Sequence, residues 1–518
     1  MLNENIFINQ IGYLEQDSKT AFSTLAGDAK LCDAASGVVV YSGKFTGSGQ
    51  TDQAAGEPVY TFDFSEYKKP GQYFICLGDS KSFNFQISNE VYNQLYYSTL
   101  NYFKLSRCGN GCHTSAADIY GTNETKTIIG GWHDAGDYGR YVVAAAKTVM
   151  DLLLAYKSTK DRFSAFDILD EARFELEWML KMQREDGGVY HKITCYHFCA
   201  FIMPEEEKDK QVISPVSTSA TADLAGTFAY AAKFYADSDP AFADALIASA
   251  RKAQVYLDSH EDELFINPKE ITTGGYGDHN VSDERYFALC SLWAATGEEN
   301  YLKAAEKIRT EQKERKPDPD KPWDRGWHIG FGWGMVSGYG TEILLENAGK
   351  LKGSAILKSI CCDILSQAES DLEIVKSSAF KTDVKHFGWG SNGAVCDVAH
   401  VLILAWRLSG RAEFKTAAKN QLDYILGCNP LNYCYVTGEG SKSPVNPHHR
   451  PSGASGKVMP GMVVGGPSEW LQDEYAKNHL QGSAPLKCFI DAVPSYSTNE
   501  VAIYWNSAFV YLLSQVGI

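Results

Sequence analysis

Up to residue 88 the chain alternates apolar and polar positions in short runs, NIFINQIGY, KTAFSTL, GVVVYSG, PVYTFDF and GQYFICLG, separated by Gly, Asp and Lys turn residues. A period of two over runs of that length predicts strands with one buried face, and their spacing predicts an all-β sandwich over 1–88. From Asn89 the apolar period lengthens to about 3.6. Amphipathic helices are predicted over 90–106, 140–158, 166–184, 219–236, 240–258, 282–297, 300–312, 340–349, 354–368, 393–409, 413–426 and 498–515. Twelve helices in succession fall into six antiparallel pairs, so residues 89–518 are expected to form one mainly α domain, a helical toroid. Long loops rich in Gly, Pro, Trp and His interrupt the pairs at 186–218, 313–339, 370–392 and 427–497. Ordering such loops in a compact domain is costly, and they usually carry function, which places the expected cleft at the loop end of the toroid.

Composition narrows the partners. A chain of 518 residues can bury a large core and fill two domains, and its formal net charge of −16 repels phosphates and anionic lipid, which excludes nucleic acid and membrane surfaces. No uninterrupted apolar stretch reaches membrane-spanning length, and no basic segment followed by an apolar run opens the chain. A neutral polymer or small sugar suits such a surface, and a monomer is expected. The thirteen cysteines are odd in number, and Cys290 in YFALCSLWAA and Cys361 with Cys362 in LKSICCDIL lie in apolar helical contexts. They read as reduced core thiols. That points to a cytoplasmic setting, with a secreted protein whose leader is trimmed as the alternative.

The candidate chemistry lies at two distant places. In FIDAVPSYSTNEVAIYWNSAFVYLL a lone acid, Glu500, interrupts an apolar and aromatic stretch. A carboxyl among Tyr496, Tyr504 and Trp505 is expected to be poorly solvated and to keep its proton near neutral pH, as a general acid must. Far upstream, GGWHDAGDYGRYV sets Asp134 and Asp137 on a Gly-punctuated loop ahead of a helix, whose N-terminal dipole favours an ionised base. A protonated acid and an ionised carboxylate are the minimal apparatus for hydrolysing a glycosidic bond. The competing reading of the Asp pair is helix capping, with Asp137 as N-cap.

GGWHDAGDYGRYV, YVTGEGSKSPVNPHHRPSG and DAVPSYSTNEVAIYWNSA, in that order, resemble the three signature regions of glycoside hydrolase family 9, and the opening INQIGY resembles the start of the immunoglobulin-like module that one branch of the family carries. The resemblance implies an (α/α)6 barrel that hydrolyses β-1,4-glucosidic bonds with inversion, Glu500 being the general acid, Asp137 the general base and Asp134 its partner on the same water. It implies that His448 and Arg450 bind glucose hydroxyls, while His449 reads as structural. Trp323, Trp327, Trp333 and Trp389 are candidate sugar platforms, because a flat ring covers a pyranose face at little entropic cost. Asp278 and Tyr504 are further cleft candidates. Cys108, Cys112, His113 and His133 have the composition of a structural zinc site. The family resemblance supports zinc there, although only three residues separate the two cysteines, fewer than in the family pattern. Asp283 and Glu284 resemble an Asp-Glu pair that binds calcium in some members; a helix start capped by Ser282 is the alternative.

The substrates expected are soluble or amorphous β-1,4-glucans and cellodextrins. An exo-acting β-glucosaminidase is the alternative within enzymes, distinguished by an acidic group for the sugar's amine. A non-catalytic carbohydrate-binding protein is the alternative outside them, disfavoured because a binder gains nothing from a desolvated Glu500.

Overall fold

The computed structural model describes residues 5–109, 111–163, 166–321, 326–384 and 386–518. Its helices are α1 (Asn93–Leu105), α2 (Val142–Thr159), α3 (Ile168–Met182), α4 (Thr218–Tyr235), α5 (Pro240–Ser259), α6 (Ser282–Thr296), α7 (Glu299–Glu314), α8 (Ser337–Glu346), α9 (Ala355–Ser377), α10 (Ser391–Ser409), α11 (Ala412–Ile425), α12 (Arg450–Ser455), α13 (Glu474–Leu480), α14 (Tyr496–Asn499) and α15 (Ile503–Val516). Each helix expected from the 3.6 period is present, with two corrections. Helix α9 continues to Ser377, nine residues past its expected end and into the stretch 370–392 expected as a loop. The stretch expected as a single helix over 498–515 is broken: α14 ends at Asn499, Glu500 is extended (φ −70°, ψ 161°), and α15 starts three residues later. No helix among the described residues is long and apolar enough to cross a membrane.

The chain forms two compact units, one of Met1–Tyr102, Asp161–Phe166 and Ser370–Ile518, the other of Phe103–Lys160 and Asp167–Glu369. In the first, a three-stranded sheet (Ile6–Phe7, Thr20–Ser23, Tyr60–Asp63) accompanies a larger one ordered Gly12–Tyr13, Phe85–Ile87, Gly71–Leu77, Gly27–Asp33, Val39–Phe45. Alternation is plain in Gly27–Asp33, where Ala29 and Leu31 are buried between exposed Asp28 and Lys30. Phe64 lies at the centre of the core, 5.3 Å from the Tyr13 ring and 5.6 Å from the Phe62 ring. In the same unit α10 packs on α11 and α15.

A buried polar knot ties this β core to the helices of its unit. Asn9 Nδ2 donates to Tyr92 Oη (2.9 Å) and to Asp423 Oδ1 (2.7 Å), and that carboxylate also receives Lys419 Nζ one helical turn away. Next to it Gln10 Nε2 donates to the Asn432 carbonyl (2.8 Å) and the Gln10 N–H to the Leu426 carbonyl (2.9 Å).

In the second unit α2 packs on α4, α4 on α6 and α6 on α8, while α3, α5 and α7 pair with the helices preceding them. Helices α2 and α4 are buried along most of their length, which explains their Ala-rich sequences. Gly226 of α4 is a point of close approach: a Cβ there would stand 2.5 Å from the Phe287 ring of α6. A five-stranded sheet, not apparent from the periodicity, orders Thr125–Lys126, Ala117–Ile119, Gln211–Ile213, Lys192–Cys195 and Arg140–Tyr141.

Removing the Asp423 carboxylate strands the buried Lys419 ammonium. Asp423→Ala is therefore expected to lower stability by about 3–5 kcal/mol, whereas the apolar pair Lys419→Met with Asp423→Leu recovers much of the loss. Thermal unfolding of the three proteins checks this; a single variant as stable as the parent contradicts it.

Candidate active site

The loop 130–141 is held in place by groups buried around it. Gly131 adopts φ +81°, and a Cβ there would approach the Trp178 ring to 2.6 Å, so only glycine fits. The Trp132 N–H donates to Glu175 Oε2 (2.7 Å) and its indole N–H to Glu171 Oε1 (2.8 Å), two carboxyls one turn apart on α3. Arg140, fully buried, donates from Nη1 to the carbonyls of Ile128 (3.1 Å) and Gly130 (2.8 Å). The Asp134 N–H closes the turn on the Gly139 carbonyl at 3.0 Å.

This scaffold buries both aspartates. Asp137 Oδ2 accepts from the Gly139 N–H (3.0 Å) and the Tyr141 hydroxyl (3.2 Å). Helix α2 begins instead at N-cap Tyr141, with no side-chain cap, so the capping alternative for Asp137 is not what forms. Asp134 Oδ2 accepts from the Tyr276 hydroxyl at 2.5 Å, and its Oδ1 is buried without a protein partner. Burial first, and the neighbouring Asp137 charge second, push the Asp134 carboxyl well above the usual carboxylate range against the opposing Tyr276 bond. Burial and the adjacent Asp137 charge thus favour the protonated form of Asp134 over its ionised form.

Sequence reasoning missed several groups here. Tyr276 and Tyr141 hold the two carboxyls, their rings 4.6 Å apart. Lys192, opposite Tyr141 in the five-stranded sheet, is fully buried and donates to Thr273 Oγ1 (3.0 Å) and the Gly274 carbonyl (2.5 Å). Burial drives its ammonium down to about 7, with the Asp137 charge opposing. The only cue in the sequence was a lysine inside the apolar strand run VYHKIT.

Glu500 is positioned by loops of the other unit. Its carbonyl accepts from the Gly465 N–H (2.8 Å), and it pairs in a β-bridge with His448, whose own N–H donates to the Asn499 carbonyl (2.9 Å). The residue is half-buried, a more open setting than the expected apolar helix. His448 donates from Nδ1 to the Val493 carbonyl (2.6 Å), which fixes the proton on that nitrogen. The Tyr496 ring lies 5.8 Å from the His448 ring and 5.2 Å from that of Trp389, which is 43% exposed. Arg450 is buried at the start of α12, and His449 Nδ1 bonds Ser452 Oγ at 2.8 Å. Tyr504 is half-buried against Trp505. Asp473 was not foreseen; buried, it accepts from the Ser495 hydroxyl and the Ser497 N–H and hydroxyl, shaping the turn that leads into Glu500.

The remaining aromatic candidates separate. Trp333 packs edge-on to Tyr276 (4.9 Å), the tyrosine whose hydroxyl bonds Asp134, whereas Trp327 packs edge-on to Tyr286 (5.1 Å) in the helical core. Trp323 lies outside the described residues.

Cys108, Cys112, His113 and His133 are all buried and each offers a ligand atom within 4.8 Å of the others. The two sulfurs stand 3.7 Å apart, His113 Nδ1 is 3.7 Å from Cys108 Sγ, and His133 Nε2 is buried with no hydrogen-bond partner. Hydrogen bonding from the Cys108 thiol, aided by His133 and the Gly109 N–H, holds Cys112 down to about 3, ready to act as a thiolate. Two sulfurs and two imidazoles around one point fit a tetrahedral zinc ion.

Asp283 accepts from the Val336 N–H (2.8 Å) rather than capping α6, and Ser282 lies inside that helix, whose N-cap, Val281, makes no side-chain cap; the Ser282-cap alternative is not formed. Glu284 and Asp223 are fully buried, with carboxylate oxygens that lack hydrogen-bond partners. Burial, then repulsion from Asp278, raises Asp283 to about 6, and Glu284 is pushed up by burial and Asp283. Such hard donors suit a cation or retained protons. Asp278 itself turns its Oδ1 to the Asn280 N–H (2.9 Å).

Residues 92–513 match the family described as Glycosyl hydrolase family 9, and residues 2–82 match the Cellulase N-terminal ig-like domain. A cellodextrinase of Butyrivibrio fibrisolvens is 34% identical over 99% of this chain and 100% of its own length. The structure of a thermostable endoglucanase mutant from Alicyclobacillus acidocaldarius superposes with a TM-score of 0.89, at 33% identity over 99% of both chains. A zinc-binding triple mutant of a family 9 endoglucanase superposes equally well, at 26% identity over 98% of this chain and 99% of that one. The fold class is that of these structures, a mainly α (α/α)6 barrel preceded by an immunoglobulin-like sandwich. With its family regions in order and a relative of this identity matched end to end, the chain belongs to glycosyl hydrolase family 9.

Proposed function

We propose that this glycoside hydrolase is an inverting β-1,4-glucanase acting on soluble or amorphous β-1,4-glucans and cellodextrins, through residues 89–518 after an immunoglobulin-like domain over 1–88. The observation that carries this reading is the buried pair Asp134 and Asp137. Asp134 is held where its protonated form is favoured, and Asp137 is anchored through a single oxygen, leaving an edge to receive a proton from water. The cellodextrinase that aligns end to end supports the substrate class.

In this reading Asp137 is the base that takes a proton from the attacking water. Asp134, with its unpartnered Oδ1, orients that water, and Glu500 gives its proton to the departing glycosidic oxygen. His448 and Arg450 would hydrogen-bond sugar hydroxyls beside Glu500. Trp389 and Trp333 are the better placed of the proposed ring platforms, and Tyr504 and Asp278 are further contacts. Cys108, Cys112, His113 and His133 would hold a structural zinc, and Asp283 with Glu284 a structural calcium.

Glu500→Gln and Asp137→Asn are each expected to lower kcat by about 100- to 10,000-fold with unchanged circular dichroism, because each removes a proton-transfer role. Asp134→Asn should retain more activity than either. Parental turnover in Glu500→Gln or Asp137→Asn would sink the assignment.

Proton NMR of fresh product from a β-linked glucan should show the α-anomer first, as displacement by water requires. Initial β-anomer would mean a covalent intermediate.

Elemental analysis of protein purified without chelator is expected to give about one zinc per chain, with zinc content and thermal stability both lower in Cys112→Ser. The same analysis should find calcium that Glu284→Gln diminishes. Metal-free protein with full stability would refute both ions.

A further inference from the structure

His113 is the one proposed zinc ligand whose two ring nitrogens face different partners. Its Nδ1 looks toward Cys108 Sγ at 3.7 Å, while its Nε2 is 2.8 Å from Glu207 Oε2. Histidine and glutamate side chains are both almost completely buried at this contact. The His113 backbone sits at φ +51°, a left-handed conformation that a side chain with a Cβ seldom adopts and that persists only where surroundings impose it. Glu207 follows the short turn Pro204–Glu206 and lies on no regular element of its own. Holding a carboxylate there, buried and aimed at an imidazole, has no evident role in packing.

We propose that Glu207 is a positioning residue of the metal site: by accepting the Nε2–H of His113 it fixes the tautomer and the ring plane, so that Nδ1 presents its lone pair to the ion shared with Cys108, Cys112 and His133. A carboxylate behind a metal-bound imidazole also makes the ligand nitrogen more basic, which strengthens the bond to the ion. The inference rests on the zinc reading above.

Glu207 reaches further than the ring it holds. Its carboxylate also interacts with the thiols of Cys195, the last residue of strand Lys192–Cys195, and Cys199, four residues further on. Cys195, Cys199 and Glu207 line one small cavity together with Asp137 and Tyr138. Tyr138 in turn donates its hydroxyl to the Ile202 carbonyl at 2.5 Å. The same carboxylate therefore links the metal cluster to the segment that walls the cavity beside the proposed base. Loss of Glu207 should loosen both, first in metal affinity.

The test uses full-length protein, with zinc affinity measured by competition against a chromophoric chelator. Glu207→Ala, which leaves Nε2 without an acceptor, is expected to bind zinc about 10- to 100-fold more weakly than the parent. Glu207→Gln, whose amide oxygen can still accept, should lie between the two. Circular dichroism of each zinc-loaded protein reports whether the variant has folded. The parent supplies a readout independent of any variant: nitrogen-15 spectra of labelled histidine should show His113 with its proton on Nε2 and its Nδ1 shifted by metal. An affinity within two-fold of the parent in folded Glu207→Ala, or a His113 proton on Nδ1, overturns the proposal while leaving the zinc site intact. Parent protein that binds no zinc at any concentration defeats the zinc reading itself, and this inference with it.

Discussion

Burying two carboxyls on a loop imposes a constraint that the rest of this structure answers: an irregular backbone taken out of water must find partners for every N–H and C=O it carries. Loop 130–141 has no helix or wide sheet to supply them. Side chains do so instead. Glu175 takes the Trp132 N–H, and Arg140 reaches back to two carbonyls. These groups are themselves ionisable and buried, so the cost of keeping Asp134 in place spreads into a shell of charge. Glu175 is pushed well above the ordinary range by its own burial, with the Trp132 N–H and Arg140 opposing. The arrangement tolerates little change because removing one member exposes another as an unpaired buried charge.

The segment that carries Glu500 solves the same problem differently. Here the loop runs are tied by amides and carboxylates to backbone. Asp491 accepts from the N–H groups of Val445 and Asn446 (both 2.8 Å) and from the Asn499 side chain (3.0 Å). Asn506, at the start of α15, accepts the Val463 N–H (2.7 Å) and donates to the Thr99 carbonyl (2.9 Å). The break between α14 and α15 belongs to this design. Glu500 keeps its N–H on the Tyr496 carbonyl (3.3 Å), as a helix end does, but its extended form turns its own carbonyl to the Gly465 N–H (2.8 Å) and sets it in the bridge with His448.

The candidate metal cluster and the buried aspartates are both approached by the segment from Lys192 to Glu207. Its first residues are a strand beside Arg140–Tyr141, which sets Lys192 against Tyr141 and thereby near Asp137. Its last residue holds His113. One stretch of chain thus touches the surroundings of both the proposed base and the proposed ion, which gives a structural ion a route to influence the base without taking part in the reaction.

The sequence by itself determined the family, the N-terminal strands and the long helices. Periodicity is a local property, so the change from period two to 3.6 near residue 88 was enough to find the strands of the N-terminal sandwich and the long helices, and the resemblance of GGWHDAGD, PHHRPSG and STNE to the family's signature regions singled out the acids and neighbours proposed for the site. Tertiary structure alone decided which groups surround them. Strands of two to four residues, such as Arg140–Tyr141 and Lys192–Cys195, are too short to show a period, so the sheet that brings Lys192 to Tyr141 left no trace in the pattern. Tyr276 stands 142 residues from Asp134, and Glu207 stands 94 from His113. The helix break at Glu500 was equally hidden, because every residue there has an acceptable helical propensity and only pairing with a distant loop makes the extended form preferable. Residue type says what a group can do, but burial and neighbours set its proton, and those are properties of the folded chain.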